Sequence, residues 1–465
     1  MTKNHDLIVI GGGPGGYVAA LRASQLGMKV ALVEREHLGG VCLNWGCIPT
    51  KALLRSAEVL DLVRDAAAYG VRVEGVSHDL EAIVARSRAV AARLQSGVRG
   101  LLRRSAVTVV EGRGRLSAPR TVEVTGRDGA RSELAAPRVI LATGARPRVL
   151  PGLEPDGVRV WSYRDAMTPR ALPASILVVG AGAIGVEFAS FYRSLGSEVT
   201  LVEAADRVLP NEDHEICALA RKAFERRGMR VHTGTVVDSL RLDDEGVTAT
   251  LRGPAGASEV RIERVISAVG IEANTEGLGL EGTGVELDRG HVVVGPWLET
   301  GEPGVYAIGD LTAPPWLAHK ASHEAVICVE KIAGVAHVAP LDANRIPACT
   351  YAHPQVASIG LTEHKARLRG IAVRIGSFPF AASGKAIAMR QDEGMVKTVF
   401  DARTGELLGA HLIGSDVTEL IQGFAVAMSA EATEAELAHT VFPHPTLSEA
   451  MHESVLQALG RPLHH

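Results

Sequence analysis

Cysteine is scarce in this sequence, with five among 465 residues, and aromatic side chains make up only 4%. So few cysteines, odd in number, exclude the disulfide scaffold of a small secreted domain and indicate a reducing cytoplasm. Strong charge is also missing, because the formal net charge is −4. A near-balanced charge gives no electrostatic reason to expect a nucleic-acid partner or an anionic membrane surface.

Long hydrophobic runs are absent too, and none approaches the roughly 20 residues that a membrane helix needs. The N-terminal segment "MTKNHDLIVIGGG" has no basic region followed by a long apolar run, so we expect no secretory signal peptide. Hydrophobic residues at 46% and charged residues at 22% are typical of a soluble globular protein. The length alone suggests about three domains.

Glycine, by contrast, is plentiful, and it marks a duplicated motif. The segment "LIVIGGGPGGYVAALRASQLGMKVALVE" (7–34) aligns without a gap with "ILVVGAGAIGVEFASFYRSLGSEVTLVE" (176–203). Each predicts a strand, a glycine turn, a helix and a second strand that ends in an acid. The matching residues are Gly11, Gly13, Gly16 and Glu34 in the first copy and Gly180, Gly182, Gly185 and Glu203 in the second.

This pattern predicts two dinucleotide sites. Glycines let backbone N–H groups approach a pyrophosphate at a helix N-terminus, and the acid can accept hydrogen bonds from a ribose diol. Glu203 favours NAD, because its carboxylate would repel a 2′-phosphate. Arg207, four residues on, could read such a phosphate, so NADP stays open as an alternative.

Two cysteines, Cys42 and Cys47, lie in "GGVCLNWGCIPTKALL" (39–54). A zinc site is one interpretation, but no second Cys or His pair at ligand spacing accompanies them. Two inert buried cysteines are another. The pattern favours a redox pair, because Pro49 suits the first turn of a helix and places Cys47 near its positive end. Lys51 adds a positive charge one turn on.

The rest of the chain alternates between helical and strand-like segments. We predict helices at about 318–333, 416–430 and 447–459, and an antiparallel sheet after about residue 346.

Several segments together resemble the class I flavoprotein pyridine nucleotide–disulfide oxidoreductases. They are "GGGPGGYVAA", "GGVCLNWGCIPTKALL", "ATGARP", "GAGAIGVEFAS", "GVYAIGD", "LAHKASHE", "QVASIGLTE" and "VFPHPTLSEAMHE". The resemblance implies an α/β fold with two Rossmann-like dinucleotide-binding domains and a C-terminal α+β dimerisation domain. It divides the chain into an FAD-binding domain with the cysteine pair (1–148), an NAD-binding domain (149–274), a central domain completing the FAD site (275–345) and a dimerisation domain (346–465).

The resemblance also assigns cofactor roles. FAD would be held by Gly11, Gly13, Gly16, Glu34, Lys51, Gly114, Thr143, Gly144, Asp310, Leu317, Ala318 and His319. NAD would be held by Gly180, Gly182, Gly185, Glu203 and Gly270. Lys51 would lie near flavin N5, paired with Glu187, and no metal is expected.

In the same family, Cys42 would exchange with the substrate and Cys47 would contact the flavin. His444 and Glu449 would form the acid–base pair and serve the cysteines of the partner subunit in a homodimer. The residues themselves support this pair, because two prolines restrict the backbone of His444 and an acid five residues on can orient an imidazole. We interpret Cys217, Cys328 and Cys349 as packing residues.

The lipoamide branch of the family resembles this chain most. It implies oxidation of dihydrolipoamide on the lipoyl domain of an E2 protein, or on a glycine-cleavage carrier, through a Cys42–Cys47 disulfide and FAD, with NAD⁺ reduced to NADH. A related NAD(P)H-dependent reductase of another small disulfide is the alternative, although Ile184 stands where glutathione-reducing relatives usually have Tyr. A purely structural partner of an E2 core is a second alternative.

Two departures from the family pattern fall near the nicotinamide and adenine. Trp316 replaces the usual Met before "LAHKA", and the common "GRxPN" is Gly270-Ile-Glu-Ala-Asn274 here.

Overall fold

The computed structural model describes residues 3–464, with side chains from residue 5 onward. The chain forms two compact units. The first unit comprises the residues up to 53, 81–148 and 270–341. The second unit comprises 54–80, 149–269 and the residues from 342 onward.

A five-stranded parallel sheet forms the centre of the first unit. Its strands are, in spatial order, Val305–Ala307, Arg138–Leu141, Leu7–Ile10, Val30–Glu34 and Thr108–Glu111. All four residues of Leu7–Ile10 are buried, as expected for a parallel strand covered on both faces. Leu7 and Val9 pack with the Pro14–Gln25 helix, whereas Ile8 and Ile10 pack with the antiparallel sheet on the other face.

The remaining elements of the first unit surround this sheet. A four-stranded sheet contains, in spatial order, Lys3–Asn4, Arg131–Ala135, Thr121–Thr125 and Arg113–Ala118. Short antiparallel pairs join Ala145–Pro147 to Ile271–Ala273 and Leu287–Asp288 to His291–Val292. The helices that lie wholly or partly in this unit are Pro14–Gln25, Gly40–Trp45, Cys47–Arg64, Leu80–Arg104, the 3₁₀ turn Gly309–Leu311 and Ala318–Ile332.

The second unit contains another five-stranded parallel sheet. Its strands are, in spatial order, Val160–Trp161, Arg264–Ser267, Ser175–Val179, Glu198–Val202 and Arg230–His232. One face packs against an antiparallel sheet made of Val236–Leu242, Val247–Gly253 and Gly256–Ile262. The helices of the second unit that come before its C-terminal part in the chain are the 3₁₀ turn Ala66–Tyr69, Tyr163–Met167, Ala183–Leu195 and His214–Arg226, together with the last part of Cys47–Arg64.

The C-terminal part of the second unit is a five-stranded sheet covered by helices. Its strands are, in spatial order, Ala348–Thr350, Gln355–Gly360, Leu407–Gly414, Met395–Asp401 and Val373–Pro379, and all pairs are antiparallel. The helices are Glu363–Leu368, Gly384–Ala388, Val417–Ser429, Glu434–His439 and Glu449–Ala458, with 3₁₀ turns at Ala343–Arg345 and Phe380–Ala382.

The predicted fold class and the predicted C-terminal antiparallel sheet are confirmed. The three helices predicted at 318–333, 416–430 and 447–459 are observed as Ala318–Ile332, Val417–Ser429 and Glu449–Ala458. The boundaries of the four predicted domains stay a prediction. Among the helices of residues 3–464, none is both long and apolar enough to cross a bilayer.

Candidate active site

The first glycine motif forms a turn that no larger residue could adopt. Gly11 has a φ of +108°, and a Cβ there would lie 2.2 Å from the carbonyl oxygen of Ala142. A Cβ on Gly16 would lie 1.8 Å from the carbonyl oxygen of Gly11. The turn therefore presses the start of the Pro14–Gln25 helix against the end of the first strand, as a pyrophosphate-binding turn requires.

The acid that ends this motif is fixed by backbone amides. Glu34 Oε2 accepts from Gly12 N at 2.6 Å, and its Oε1 accepts from Glu36 N at 2.6 Å. The chain then returns over the turn, because Gly39 N donates to Gly12 O at 2.7 Å. A Cβ on Gly40, whose φ is +58°, would lie 2.7 Å from Gly13 Cα, so backbone covers the first glycine turn closely.

The second glycine motif repeats this geometry. Gly180 has a φ of +101°, and a Cβ there would lie 2.4 Å from the carbonyl oxygen of Ala268. A Cβ on Gly185 would lie 1.8 Å from Gly180 O. A Cβ on Gly182 would meet nothing within 4 Å, and a Cβ on the matching Gly13 would meet only Gly40 Cα, at 3.9 Å.

Glu203 occupies the place that Glu34 has in the first motif. Its Oε2 accepts from Ala181 N at 2.7 Å, and its Oε1 accepts from Ala205 N at 2.8 Å. Arg207 makes two hydrogen bonds to Asp206, at 2.7 and 2.9 Å, so its charge has a local partner. This arrangement favours NAD over NADP at the second motif.

The cysteine pair follows the first motif directly. Cys42 lies in the Gly40–Trp45 helix, and the next helix begins at Cys47, as predicted. Both are thiols here, and a hydrogen bond with Cys47, followed by burial, raises the pKa of Cys42, whereas the charge of Lys51 opposes the rise. The two sulfurs and the lysine are therefore brought together in one half-buried site.

Two residues outside the predicted site, Asn44 and Arg88, support this pair. The Asn44 amide donates to Leu38 O at 3.0 Å and to Gly40 O at 2.9 Å. The Arg88 guanidinium donates to Asn44 O at 2.6 Å and lies 4.2 Å from the centre of the Trp45 ring. Arg88 is far away in sequence, so only the fold reveals its role in holding the short cysteine helix.

Asp310 lies in the 3₁₀ turn Gly309–Leu311, beside a buried ion pair. Burial raises the pKa of the Asp310 carboxyl, and the charge of Lys320 opposes that rise. Lys320 Nζ is 2.8 Å from Glu324 Oε1, while Glu324 Oε2 accepts from Gly309 N at 2.8 Å. The spacing of Lys320 and Glu324 within "LAHKASHE" could have predicted this pair, because side chains four apart on a helix are neighbours.

Thr143 and Gly144 are held by Asn274, the last residue of the segment 270–274 that departs from the family pattern. Thr143 Oγ1 donates to Asn274 O at 2.9 Å, and the Asn274 amide donates to Thr143 O at 2.9 Å. Asn274 N also donates to Gly144 O at 2.9 Å. Asn274 was not among the predicted site residues, although it closes the loop on which two of them lie.

The other residues of the first unit that were predicted to bind cofactors lie on different elements of that unit. Leu317 caps the Ala318–Ile332 helix, where His319 is exposed. Gly114 is buried, and a Cβ there would lie 3.2 Å from side-chain carbons of Ile10 and Val33. Gly270 O accepts from Arg148 N at 3.0 Å. Their cofactor roles stay predictions.

His444 and Glu449, the residues of the predicted acid–base pair, are hydrogen-bonded to each other in the second unit. His444 Nδ1 lies 2.8 Å from Glu449 Oε1, and Thr446 N donates to Glu449 Oε2 at 2.9 Å. Burial opposes the charge of Glu449, but the bonds from Thr446 N and His444 outweigh it and lower the pKa of Glu449. The His444 side chain is 79% exposed, and its role in acid–base chemistry stays a prediction.

Glu187 is buried on the Ala183–Leu195 helix, where its Oε1 accepts from Tyr351 N at 2.9 Å. Its pairing with Lys51 stays a prediction. Cys217 and Cys328 are buried, and burial raises the pKa of Cys217 to about 12, which fits a packing role.

Known proteins resemble this chain over its whole length. A family described as pyridine nucleotide-disulphide oxidoreductase matches residues 5–325, and the dimerisation domain of that family matches residues 346–455. The dihydrolipoyl dehydrogenase of Rhizobium etli is 53% identical over 480 residues, and that of Zymomonas mobilis is 55% identical over 465 residues. Each alignment covers 100% of this chain and 100% of the relative.

A solved structure agrees as well. The crystal structure of LpdA from Mycobacterium tuberculosis superimposes on this chain with a TM-score of 0.90 and a sequence identity of 31%. The superposition covers 98% of this chain and 99% of LpdA. The family predicted from the motifs is therefore confirmed by both sequence and structure. This chain belongs to the pyridine nucleotide-disulphide oxidoreductases.

Proposed function

We propose that this protein is a dihydrolipoyl dehydrogenase, which oxidises protein-bound dihydrolipoamide to lipoamide and reduces NAD⁺ to NADH. The observation that carries the proposal is the hydrogen-bonded Cys42–Cys47 pair, which directly follows the first glycine motif. The full-length similarity to the two dihydrolipoyl dehydrogenases supports it.

The residues present fit the two cofactors. The first glycine turn, with Glu34, suits the adenosine diphosphate part of FAD, and the second, with Glu203, suits NAD⁺. Both turns have no room for a Cβ at their first glycine. FAD bound by these residues would supply the two-electron redox chemistry that links the cysteine pair to NAD⁺.

The proposed role of His444 is to remove the proton from a thiol of dihydrolipoamide. Glu449 holds the imidazole by its Nδ1 and stabilises the positive charge that develops there. The substrate thiolate attacks the sulfur of Cys42 in the Cys42–Cys47 disulfide, so that a mixed disulfide forms and the sulfur of Cys47 leaves with the bonding electron pair.

The second substrate thiol then attacks the substrate sulfur of this mixed disulfide. The bond to Cys42 breaks, the proton of this second thiol passes to the Cys42 sulfur, and lipoamide leaves, while the proton of the first thiol passes from His444 to solvent. Two electrons have passed from the substrate to the cysteine pair. Because the hydrogen bond with Cys47 raises the pKa of Cys42, the reduced pair keeps Cys42 as the thiol.

The partners follow from the substrate. The dimerisation domain supports a homodimer, in which His444 of one subunit would serve the cysteines of the other. A lipoyl domain of an E2 protein, or a glycine-cleavage carrier, would bring the substrate to this site. We place the enzyme in the cytoplasm, where thiols stay reduced.

The experiment is NADH formation by the purified protein from dihydrolipoamide and NAD⁺, with NADP⁺ in a parallel sample. Rapid turnover with NAD⁺ alone is expected. The Cys42→Ser variant is the matched control and should lose at least about a thousandfold in turnover while it keeps its FAD. An FAD-loaded wild-type protein that does not oxidise dihydrolipoamide would contradict the substrate, and other disulfides would then be screened with NADH and NADPH.

A further inference from the structure

Lys397 is a buried cation that no sequence motif singled out. It lies on the Met395–Asp401 strand of the C-terminal sheet, and its side chain is only 4% exposed. Its Nζ is 2.7 Å from Glu363 Oε2, 2.9 Å from Asp213 Oδ1 and 3.1 Å from Glu215 Oε2. Buried charges are normally paired, and this one is surrounded by three carboxylates.

The cluster keeps Lys397 charged. Burial opposes the charge, but the hydrogen bonds to Glu363 and Asp213 outweigh it and raise the pKa of Lys397. His411 lies directly opposite in the strand register and is buried, which lowers its pKa and leaves it neutral. The lysine therefore provides the positive charge that the Asp213 carboxylate contacts.

Asp213 connects this cluster to the second glycine motif. It caps the His214–Arg226 helix by accepting from Glu215 N at 3.1 Å, and its side chain is 2% exposed. It is also the last residue of a loop that begins at Glu203, the acid of the motif. In that loop, Leu209 N donates to Ala181 O at 2.8 Å. Ala181 also donates its own N–H to Glu203, so this one residue of the glycine turn binds both ends of the segment 203–209.

We infer that Lys397 is a positioning residue for the pyridine nucleotide. It holds Asp213 from the C-terminal sheet, which fixes the end of the 203–213 loop and thereby the Leu209 backbone and Glu203 against the glycine turn. The inference deepens the proposed function, because it rests on NAD⁺ binding at the second motif. It does not depend on the identity of the disulfide substrate.

The test is the anaerobic reduction of the bound flavin by NADH, followed against NADH concentration in the full-length holoenzyme. Asp213→Asn keeps the helix cap, since Asn caps as well as Asp, but it removes the charge that binds Lys397. Lys397→Met removes the cation. We expect the half-saturating NADH concentration to rise on the order of tenfold in both variants, with the limiting rate unchanged.

Glu363→Gln is the matched control, because Glu363 contacts the same Nζ but lies on the Glu363–Leu368 helix, outside the 203–213 loop. It should leave the half-saturating concentration near that of the wild type, because Asp213 and Glu215 still contact Nζ and keep Lys397 charged. If Lys397→Met does not fold, Asp213→Asn carries the test alone. Flavin reduction by dihydrolipoamide should be unchanged in every folded variant.

An unchanged NADH half-saturation in folded, FAD-loaded Asp213→Asn would overturn the inference, and so would an equal rise in Glu363→Gln. A wild-type flavin that NADH does not reduce would contradict both this inference and the proposed cofactor. Reduction by NADH without oxidation of dihydrolipoamide would contradict only the proposed substrate, and the effect of Asp213→Asn would still decide the inference.

Discussion

The two glycine motifs make the same hydrogen bonds and differ in what lies over them. In each, a glutamate accepts from the amide of the residue after the first glycine, and a later backbone N–H donates to the carbonyl of that same residue. That later donor is Gly39 in the first motif and Leu209 in the second. The shared part explains why both suit a dinucleotide.

The difference concerns the backbone near the second glycine of each motif, which is Gly13 in the first and Gly182 in the second. In the first motif, Gly40 approaches Gly13 so closely that a Cβ would lie 2.7 Å from its Cα, and the chain continues into the cysteine helices. In the second, a Cβ on Gly182 would meet nothing within 4 Å, and the chain continues into a helix capped by Asp213. We expect the backbone of Gly40 over the first turn to slow the release of the cofactor bound there, so that FAD stays bound while NAD⁺ exchanges.

The largest effect is expected from alanine at the first glycine of each motif. Both positions have positive φ and a carbonyl oxygen within 2.4 Å of the new Cβ. The strain costs about 1–2 kcal/mol, and the clash adds about 1–3 kcal/mol. Gly11→Ala should purify without FAD, whereas Gly180→Ala should keep FAD and its reduction by dihydrolipoamide but lose NAD⁺ reduction. FAD content and the two half-reactions measure this, and equal loss of FAD in both variants would contradict the comparison.

A variant outside both motifs separates substrate chemistry from cofactor binding. Glu449→Gln removes the charge that orients His444, so dihydrolipoamide oxidation should fall about a hundredfold while NADH still reduces the flavin. Loss of the NADH reaction as well would show that the change is not local.

Glu449 also predicts a pH dependence of stability. Its pKa in the folded protein lies below the ordinary value of 4.5. The stabilisation is therefore fully present above that ordinary value and is lost as the pH falls through the lower, folded-state pKa. Urea unfolding of wild type and Glu449→Gln should differ at neutral pH and converge in acid. A difference that grows in acid would contradict this sign.

Removal of the carboxylate that ends each glycine motif, Glu203 or Glu34, should have a smaller effect, and each variant should affect only the cofactor of its own motif. Glu203→Ala leaves Ala181 N and Ala205 N without their acceptor and removes the repulsion of a 2′-phosphate. We expect the KM for NAD⁺ to rise about tenfold, as for loss of a charged hydrogen bond, and the preference over NADP⁺ to narrow. Glu34→Ala should instead lower FAD retention at an unchanged KM for NAD⁺. Steady-state kinetics with NAD⁺ and NADP⁺, together with FAD content, measure these effects. An unchanged KM for NAD⁺ in Glu203→Ala, or a raised one in Glu34→Ala, would contradict the prediction.

The last prediction concerns the backbone that lies over the first glycine turn. Gly40→Ala should destabilise the holoenzyme by about 1–3 kcal/mol and speed FAD release, because its Cβ would meet Gly13. Gly182→Ala is the control, since its φ of −74° suits alanine and its Cβ would meet nothing within 4 Å. Thermal unfolding and FAD release measure both. Equal destabilisation would remove the distinction between the two turns.

The sequence predicted the parts of the site that are local. Both glycine turns, their acids and the helix that begins at Cys47 depend on residues close in the chain, so the glycine spacing and the position of Pro49 could predict them. The bond between His444 and Glu449, five residues apart, belongs to the same class.

The parts that the sequence did not reveal depend on long-range packing. Asn274 meets Thr143 across 131 residues, and Lys397 meets Asp213 across 184. No spacing or periodicity in the sequence predicts either of these two contacts. Such contacts arise only when sheets and helices have been assembled, which is why a buried lysine on a C-terminal strand escaped prediction.

The most direct test of the two-motif account is cofactor retention. The purified protein would be incubated with excess FAD and NAD⁺, passed through a desalting column, and assayed for both nucleotides. We predict stoichiometric FAD and almost no NAD⁺ in the protein fraction. Retained NAD⁺, or FAD lost as readily as NAD⁺, would contradict it.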